Sequence, residues 1–411
     1  MQIRKVALAA LSLFLLMVSD GCAKEKVVER PTRIFSKRQV IYDDATYKKL
    51  DSLWAAYNKA YPSEEAYGYW MYAARYAMNP DFRKLLKKGL KKYPGNPMLL
   101  YLEGVTEATY QEEGAGIELL EKAVKLDPEY IDPWFMLAIS YMSAGEFEKA
   151  DTALKRLLER SANSETVMDY AYNVLTLLDQ NAILITNGDN DTYPGWILTR
   201  IVGYRPDVVI INRSLLESPW FPNVLPKLGL PQFLEDGELT RIRDTCTARI
   251  AATKPTGPVF GVVSDSLLAR IIEATERVGR PVYISATVSY SPYIRQLCSN
   301  GVNLGIVTQV SCLKEDSTAI ARRALQHWLN DFRTGGLDSW EVKYANASDA
   351  SVMIAKNYPM GLVYLLQNIP DWQKEFGNHP LDWFDRYAAK LVNPEYIPQL
   401  RQYLDQAPSA K

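Results

Sequence analysis

The sequence predicts an α + α/β fold in which a stack of paired helices precedes a mostly parallel sheet domain, followed by further helices. Three observations predict it. Between residues 64 and 179 small and apolar positions recur with a period of 34, the spacing of a repeated helical hairpin. Beyond Asp179 short β-branched runs alternate with helical segments, the pattern of parallel strands joined by helical crossovers. From Asp316 onward the periodicity is helical once more.

In chain order, Arg4 and Lys5 precede an apolar run from Val6 to Val18 and then Ser19-Asp20-Gly21-Cys22. This reads as an export signal over residues 1–21 ending at a lipid-acceptor cysteine. It resembles a bacterial lipoprotein signal, with Ser19 where the usual motif has Leu. The apolar run is shorter than the roughly 20 residues that a spanning helix needs. An acylated (palmitate-type) Cys22 would hold the body on the membrane in the bacterial cell envelope, at the periplasmic side or on the surface of the outer membrane. Residues 22–45, charged and without apolar pattern at their start, read as a solvated tether.

Residues 46–179 are expected to form the helical stack. A unit beginning at Pro97 places Leu100, Gly104, Gly116, Leu120, Ala123 and Pro128 at the bulky, small, small, bulky, Ala and Pro positions of a tetratricopeptide repeat. The next unit repeats the offsets with Trp134, Leu137, Ala138, Tyr141, Ala150 and Leu154. The small residues are needed where the two helices cross. An earlier unit from about Ser63 to Gly95 is degenerate, and Glu165–Leu178 adds a capping helix. The groove of such a stack is expected to dock a polypeptide partner; the plainer alternative is that the repeats brace the second domain.

Residues 180–312 read as a Rossmann-like α/β domain with strands at Ala182–Thr186, Val208–Ile211, Val259–Val263, Val282–Val288 and Leu304–Val310. Helical segments such as Tyr193–Val202 and Asp265–Val278 separate them, and residues 213–258 are a long insertion carrying Trp220 and Phe221. Residues 313–411 are expected to be helical, with runs at Ile320–Phe332, Val352–Gln367 and Trp383–Leu391.

Ligands of open parallel sheets sit beyond the carboxyl ends of the strands. That edge should present Asn187, Asp189, Asn190, Asp191 and Thr192 after the first strand, Asn212 and Ser214 after the second, Ser264 and Asp265 after the third, and Thr287 and Tyr290 after the fourth. Asp189 and Asp191 have the Asp-x-Asp spacing by which some nucleotide-sugar transferases hold a divalent ion, and hard oxygen ligands suit Mn or Mg. The plainer reading is that Asp191 or Thr192 caps the following helix, and that Ser264 or Asp265 caps its own. Carboxylates beside Trp196, Trp220, Phe221, Tyr290 and Tyr293 suit a glycan-like ligand, though most of those rings are expected in the core.

Other chemistries lack material. Basic residues number 47 and acidic ones 48, scattered along the chain, which leaves no footprint for nucleic acid. There is no dinucleotide or phosphate-loop glycine motif and no nucleophile elbow. His327 and His379 are the only histidines, and Cys246, Cys298 and Cys312 have no metal-ligand spacing. These cysteines are read as core residues, with Cys298 and Cys312 at opposite ends of the sheet and unpaired.

Asn187-Gly188-Asp189-Asn190-Asp191-Thr192-Tyr193-Pro194, Gly203-Tyr204-Arg205-Pro206-Asp207-Val208, Asn212-Arg213-Ser214-Leu215-Leu216 and Arg280-Pro281-Val282-Tyr283-Ile284-Ser285-Ala286-Thr287-Val288 follow one another in that order. With them the chain resembles the soluble region of the transmembrane-protein-260-like bacterial family, the protein O-mannosyltransferases, over about residues 181–310. Glycosyl transfer in that family is attributed to membrane helices that precede this domain and that this sequence lacks. The transferase label is therefore not carried over to this chain. The sequence leads to a lipid-anchored binding scaffold, its repeats docking a polypeptide and its α/β domain a small glycan-like ligand, in a protein glycosylation or envelope pathway. The rival is a divalent-metal-assisted enzyme on a glycan or activated sugar, with Asp189 and Asp191 holding the ion and Asp265 as base.

Overall fold

A computed structural model describes residues 27–110, 116–253, 261–313, 315–344 and 349–405. The signal and Cys22 lie outside the described residues. Two bodies are distinguished, one from residues up to 34 together with 44–93, the other from 35–43 and 94 onward. Among the described residues no helix is long and apolar enough to cross a membrane.

In the first body, α1 (Asp44–Ala60) packs on α2 (Glu64–Tyr76), and α3 (Phe82–Lys92) completes the degenerate repeat. Ser63 caps α2 by accepting from the Ala66 amide at 3.1 Å, the bond that satisfies an otherwise orphaned donor. Trp54 is fully buried, stacks on Tyr69 at 4.8 Å, and donates its indole N–H to the Thr32 carbonyl.

In the second body, α4 (Pro97–Tyr110) pairs with α5 (Ile117–Leu126), and α6 (Ile131–Ser143) with α7 (Phe147–Glu159). Leu100, Leu120, Ala123, Leu137, Ala138, Ala150 and Leu154 are all buried, as the repeat spacing requires. The close crossing is visible at Gly116, whose φ is +83° and where a Cβ would stand 2.2 Å from the Gly104 carbonyl oxygen. Only glycine combines that backbone with that approach. Helix α8 (Glu165–Thr176) follows, capped by Ser164.

The sheet holds β1 (Ile183–Thr186), β2 (Val209–Asn212), β3 (Val282–Ser285), β4 (Val302–Asn303) and β5 (Val307–Gln309) in the order β2-β1-β3-β5-β4. β2, β1 and β3 are mutually parallel, whereas β5 runs antiparallel to β3, and β4 to β5. The sheet is thus mostly parallel with an antiparallel hairpin at one edge. The expected strand Leu304–Val310 is shortened to β5, with β4 lying just before it, because Gly305 turns the chain at φ +97° where a Cβ would lie 2.4 Å from the Trp328 ring.

The expected strand Val259–Val263 is corrected. Residues 259 and 260 lie outside the described residues, and Val262 and Val263 open helix α11 (Val262–Arg277), which follows α9 (Asp189–Trp196) and α10 (Glu238–Thr253) in helix order. Gly261 enters at φ +90°, and the Glu217 carboxylate accepts from the Gly261 and Ser264 amides at 3.1 and 2.9 Å. An acid capping those free amides makes helix the better state for a run that composition alone reads as strand.

One guanidinium is prominent among the contacts that join the repeat end and the sheet. Arg205 donates to the Leu175, Leu178 and Asp179 carbonyls at the end of α8, at 2.9, 2.7 and 2.6 Å, and to both oxygens of Asp207 at 2.9 Å. Beside it Tyr204 stacks on Tyr172 at 4.3 Å and shares a hydrogen bond with Thr176. The C-terminal region is helical as expected. In it, α13 (Ser317–Asn330) follows α12 (Pro292–Asn300), and α14 (Ala350–Ala355) and α15 (Asn357–Leu366) come after. Asn173 of α8 bonds to Arg333 and Tyr358, and Asp169 accepts from the Gly336 amide. Among the described residues Cys246, Cys298 and Cys312 are unpaired.

The segment 35–43, expected to be tether, is instead packed. Arg38 lies against α4 and α6: Nη1 reaches Asp132 at 3.2 Å and Tyr101 at 3.4 Å, and the guanidinium sits 4.7 Å over the Phe135 ring. Ser36 also donates to Asp132, and Val40 bridges to Asp349. Burial opposes the charge on Arg38, yet Asp189, Tyr101 and Asp132 hold it protonated well above the ordinary range.

The clamp has a pH signature. The hydrogen bonds from Arg205 hold the Asp207 carboxyl down at about 2. A carboxyl depressed in the folded state contributes stability above the ordinary carboxylate range and loses it as pH falls through the folded value. Asp207→Asn is expected to cost about 1–2 kcal/mol at neutral pH after allowance for partial exposure. In paired urea titrations that gap should close between about pH 4 and pH 2; a gap constant with pH would show that the ion pair does not carry it.

Candidate functional site

β1 delivers the chain into the turn Asn187-Gly188, from which α9 departs. Asp191, 7 % exposed, turns back and accepts from the Asn187 amide at 2.7 Å, the Gly188 amide at 2.9 Å, and the Thr287 hydroxyl. Burial raises its pKa, against the opposing pull of those donors. This is the capping role, directed backward onto the start of the helix.

The neighbouring polar residues close on one another in the same way. Thr192 shares a hydrogen bond with Thr186 at 2.7 Å and accepts from Asn212 at 3.0 Å, while Asn212 accepts from the Leu215 amide. Ser214 donates to the Asn187 carbonyl, and the Asn187 side chain accepts from the Ser289 amide. Asp265 is paired with Arg213 at 2.6 Å, in the first turn of α11. The free space against Asp191, bordered also by Tyr170, Thr186 and Ser285, is about 10 Å³, room for at most one water. The expected open crevice at the strand ends is therefore filled by its own side chains.

Asp189 faces elsewhere. Its carboxylate lies 2.9 Å from Nε of Arg38, so the two acids of the Asp-x-Asp spacing diverge, one inward to the turn and one outward to the segment 35–43. Metal chelation needs both to converge on one point. Among the described residues no group of three or more His, Cys, Asp or Glu is placed to hold a metal ion, and Asp265, held by Arg213, has no site to serve as base.

Of the aromatic residues, Trp196 and Phe221 are core, the former donating to the Ile210 carbonyl. Trp220 packs edge-on against Phe221, and Tyr290 is 59 % exposed. His327 bonds Asp331, the residue that ends its own helix.

Among the expected ligand residues, Asn190 borders a larger space. It lines a cavity of about 410 Å³ shared with the segment 35–40, the start of α8 and the start of α14. Asn163, Ser164, Phe35 and Trp340 line it as well, and none of these was identified as a site from sequence. Asn163-Ser164 signals only a helix start there, and the other two lie more than a hundred residues away in the chain on either side.

Two family models match the chain. A tetratricopeptide-repeat model matches residues 112–168, and a model described as TMEM260-associated domain 2 matches residues 167–227. No curated protein matches. The second match begins inside α8, the helix whose end Arg205 clamps, and it contains both the Gly203–Asp207 and Asn212–Leu216 motifs. Those motifs are tied to folding work, Arg205 on α8 and Arg213 on Asp265.

Asp191→Asn leaves one of three donors facing an amide N–H₂, at a cost of about 1–3 kcal/mol. The melting temperature should fall by the same amount with and without manganese. A stabilisation of the wild type by manganese that the variant loses would restore the metal reading.

Proposed function

We propose that this chain is an interaction scaffold of a bacterial envelope, anchored through an acylated Cys22 and holding a protein partner of a glycosylation-related pathway on its repeats. The two family-model matches support the repeat and pathway parts of this reading. The observation that carries it is the seat of the segment 35–43. The face of α4 and α6 on which that segment lies receives a non-helical chain and clasps its arginine between Tyr101, Asp132 and Phe135. A face so built recognises an extended polypeptide by a buried charge and an aromatic ring, the combination that concentrates binding energy in few contacts. In the described molecule the occupant is the chain's own segment, so a partner would enter by taking its place.

A benzophenone amino acid at Met136, whose sulfur lies 3.7 Å from Arg38, tests this in the native cell. A discrete adduct with another envelope protein is expected, and it should strengthen when Arg38→Ala loosens the segment. Only intramolecular adducts to 35–43 in both backgrounds would reduce the repeats to a brace. For the anchor, an alkyne-labelled fatty acid should be incorporated by the wild type and not by Cys22→Ser, which should leave the membrane fraction. Equal labelling of both would remove the anchor from the reading.

The glycan-like ligand expected at the strand ends has no room there. The metal-assisted enzyme has no observation in its favour, since Asp189 and Asp191 diverge and Asp265 is held by Arg213.

A further inference from the structure

We infer that the outer face of α3 (Phe82–Lys92) is a docking surface for an anionic lipid bilayer, engaged through its lysines. This face belongs to the first body, whereas the repeat face proposed to hold a partner belongs to the second. Only the choice of a membrane among anionic partners draws on the proposed anchor at Cys22.

The 11 residues of α3 read Phe-Arg-Lys-Leu-Leu-Lys-Lys-Gly-Leu-Lys-Lys, with cations at more than half the positions and no acid. The helix packs on α2, and Phe82, Leu86 and Gly89 are buried. At about 100° per residue these occupy one side, and the arc of roughly 180° opposite them is filled by Arg83, Lys84, Lys87, Lys88, Lys91 and Lys92. Every one of those cations is exposed. Among the described residues Lys84, Lys87, Lys88 and Lys91 make no ion pair, and Lys92 lies 5.0 Å over the Tyr93 ring.

The near-equal totals of basic and acidic residues conceal this local excess. The second helices of the other hairpins mix their charges. α5 carries Glu118 and Glu121 beside Lys122 and Lys125, and in α7 Lys149 pairs with Glu146 and Arg156 with Glu159. Mixing suits a solvated helix, because like charges three or four residues apart destabilise it. In α3, Lys84 with Lys88, Lys87 with Lys91 and Lys88 with Lys92 are all such pairs. An uncompensated arc of cations calls for counter-charge from outside the chain.

The chemistry of the arc selects a plane of headgroups. It carries no aromatic ring and no amide side chain, the groups that stack on or read bases. All but Arg83 are lysines, compact charges on flexible stems that impose no fixed geometry, which matches mobile anionic headgroups better than a rigid acidic partner. Each lysine near an anionic lipid surface strengthens association about fivefold. The turn leading into α3 holds Met78 in the left-handed region at φ +54°, 86 % exposed, and a bilayer interface takes up apolar side chains together with cations. Position agrees. Arg30 is paired with Glu65, and its separation from Cys22 in sequence is no more than about 30 Å of extended chain. A lipid on Cys22 and a polybasic face would supply the two signals that stable anchoring takes.

The test titrates the full chain with phosphatidylcholine vesicles that contain or lack phosphatidylglycerol. A preference of about a hundredfold or more for the anionic vesicles is expected, shrinking as added salt screens the charges. Lys87→Gln, Lys88→Gln and Lys91→Gln together should weaken anionic binding about a hundredfold without lowering the melting temperature. Lys122→Gln, Lys125→Gln and Lys155→Gln make the same change in net charge and should leave binding intact. Cys22→Ser should weaken association with both kinds of vesicle and preserve the preference, so failure of the anchor and failure of this face read differently. Equal association with both vesicles, or a preference that survives the α3 substitutions, overturns the inference. So does binding of an oligonucleotide or of polyglutamate, abolished by those substitutions, in place of the anionic vesicles.

Discussion

Arg205 is the contact on which the arrangement of the second body turns. Helix ends leave carbonyls short of intrahelical partners, and at and just past the end of α8 the Leu175, Leu178 and Asp179 carbonyls all accept from one guanidinium whose remaining donors hold Asp207. A planar fork with five fixed donors can do this; an ammonium cannot. The helix that would cap a free-standing repeat stack becomes part of the sheet's own framework. Asn173 and Asp169 on the same helix then bond to the C-terminal region, so one element serves three neighbours. The start of the TMEM260-associated match within that helix has a physical reason here.

A second guanidinium, Arg38, does at the repeats what Arg205 does at the sheet. It draws an extended segment onto α4 and α6 and links it to Asp189 on α9. Burying a cation is favourable only with good partners on every side, and Tyr101, Asp132, Phe135 and Asp189 provide them. The repeat face is thereby occupied from within, which makes recruitment of any partner there a competition with the chain itself.

Much of this was legible in advance. The period of 34 located both helical hairpins, because close crossing of two helices admits only small residues at fixed offsets, as Gly104 and Gly116 show. Strands β1, β2 and β3 announced themselves by β-branched runs buried on both faces. The run at 259–263 misled because its apolar content is equally at home in a buried helix. The deciding groups, Gly261 and the distant Glu217, act through three dimensions. The candidate site divides in the same manner. A structural role for Asp191 at a helix start was readable, although it sits in the first turn of α9 and accepts from the amides before the helix rather than from those that follow, whereas the orientation of Asp189 depended on an arginine 151 positions earlier in the chain.

Local pattern therefore established most of the helices and three of the parallel strands, where hairpins repeat, and that polar residues gather after β1, since those properties follow from periodicity and from the needs of nearby backbone groups. Tertiary packing alone decided which polar groups spend themselves on one another and which face open space. A side chain's partners come from whatever the fold brings within about 3 Å, and spacing along the chain carries no record of that.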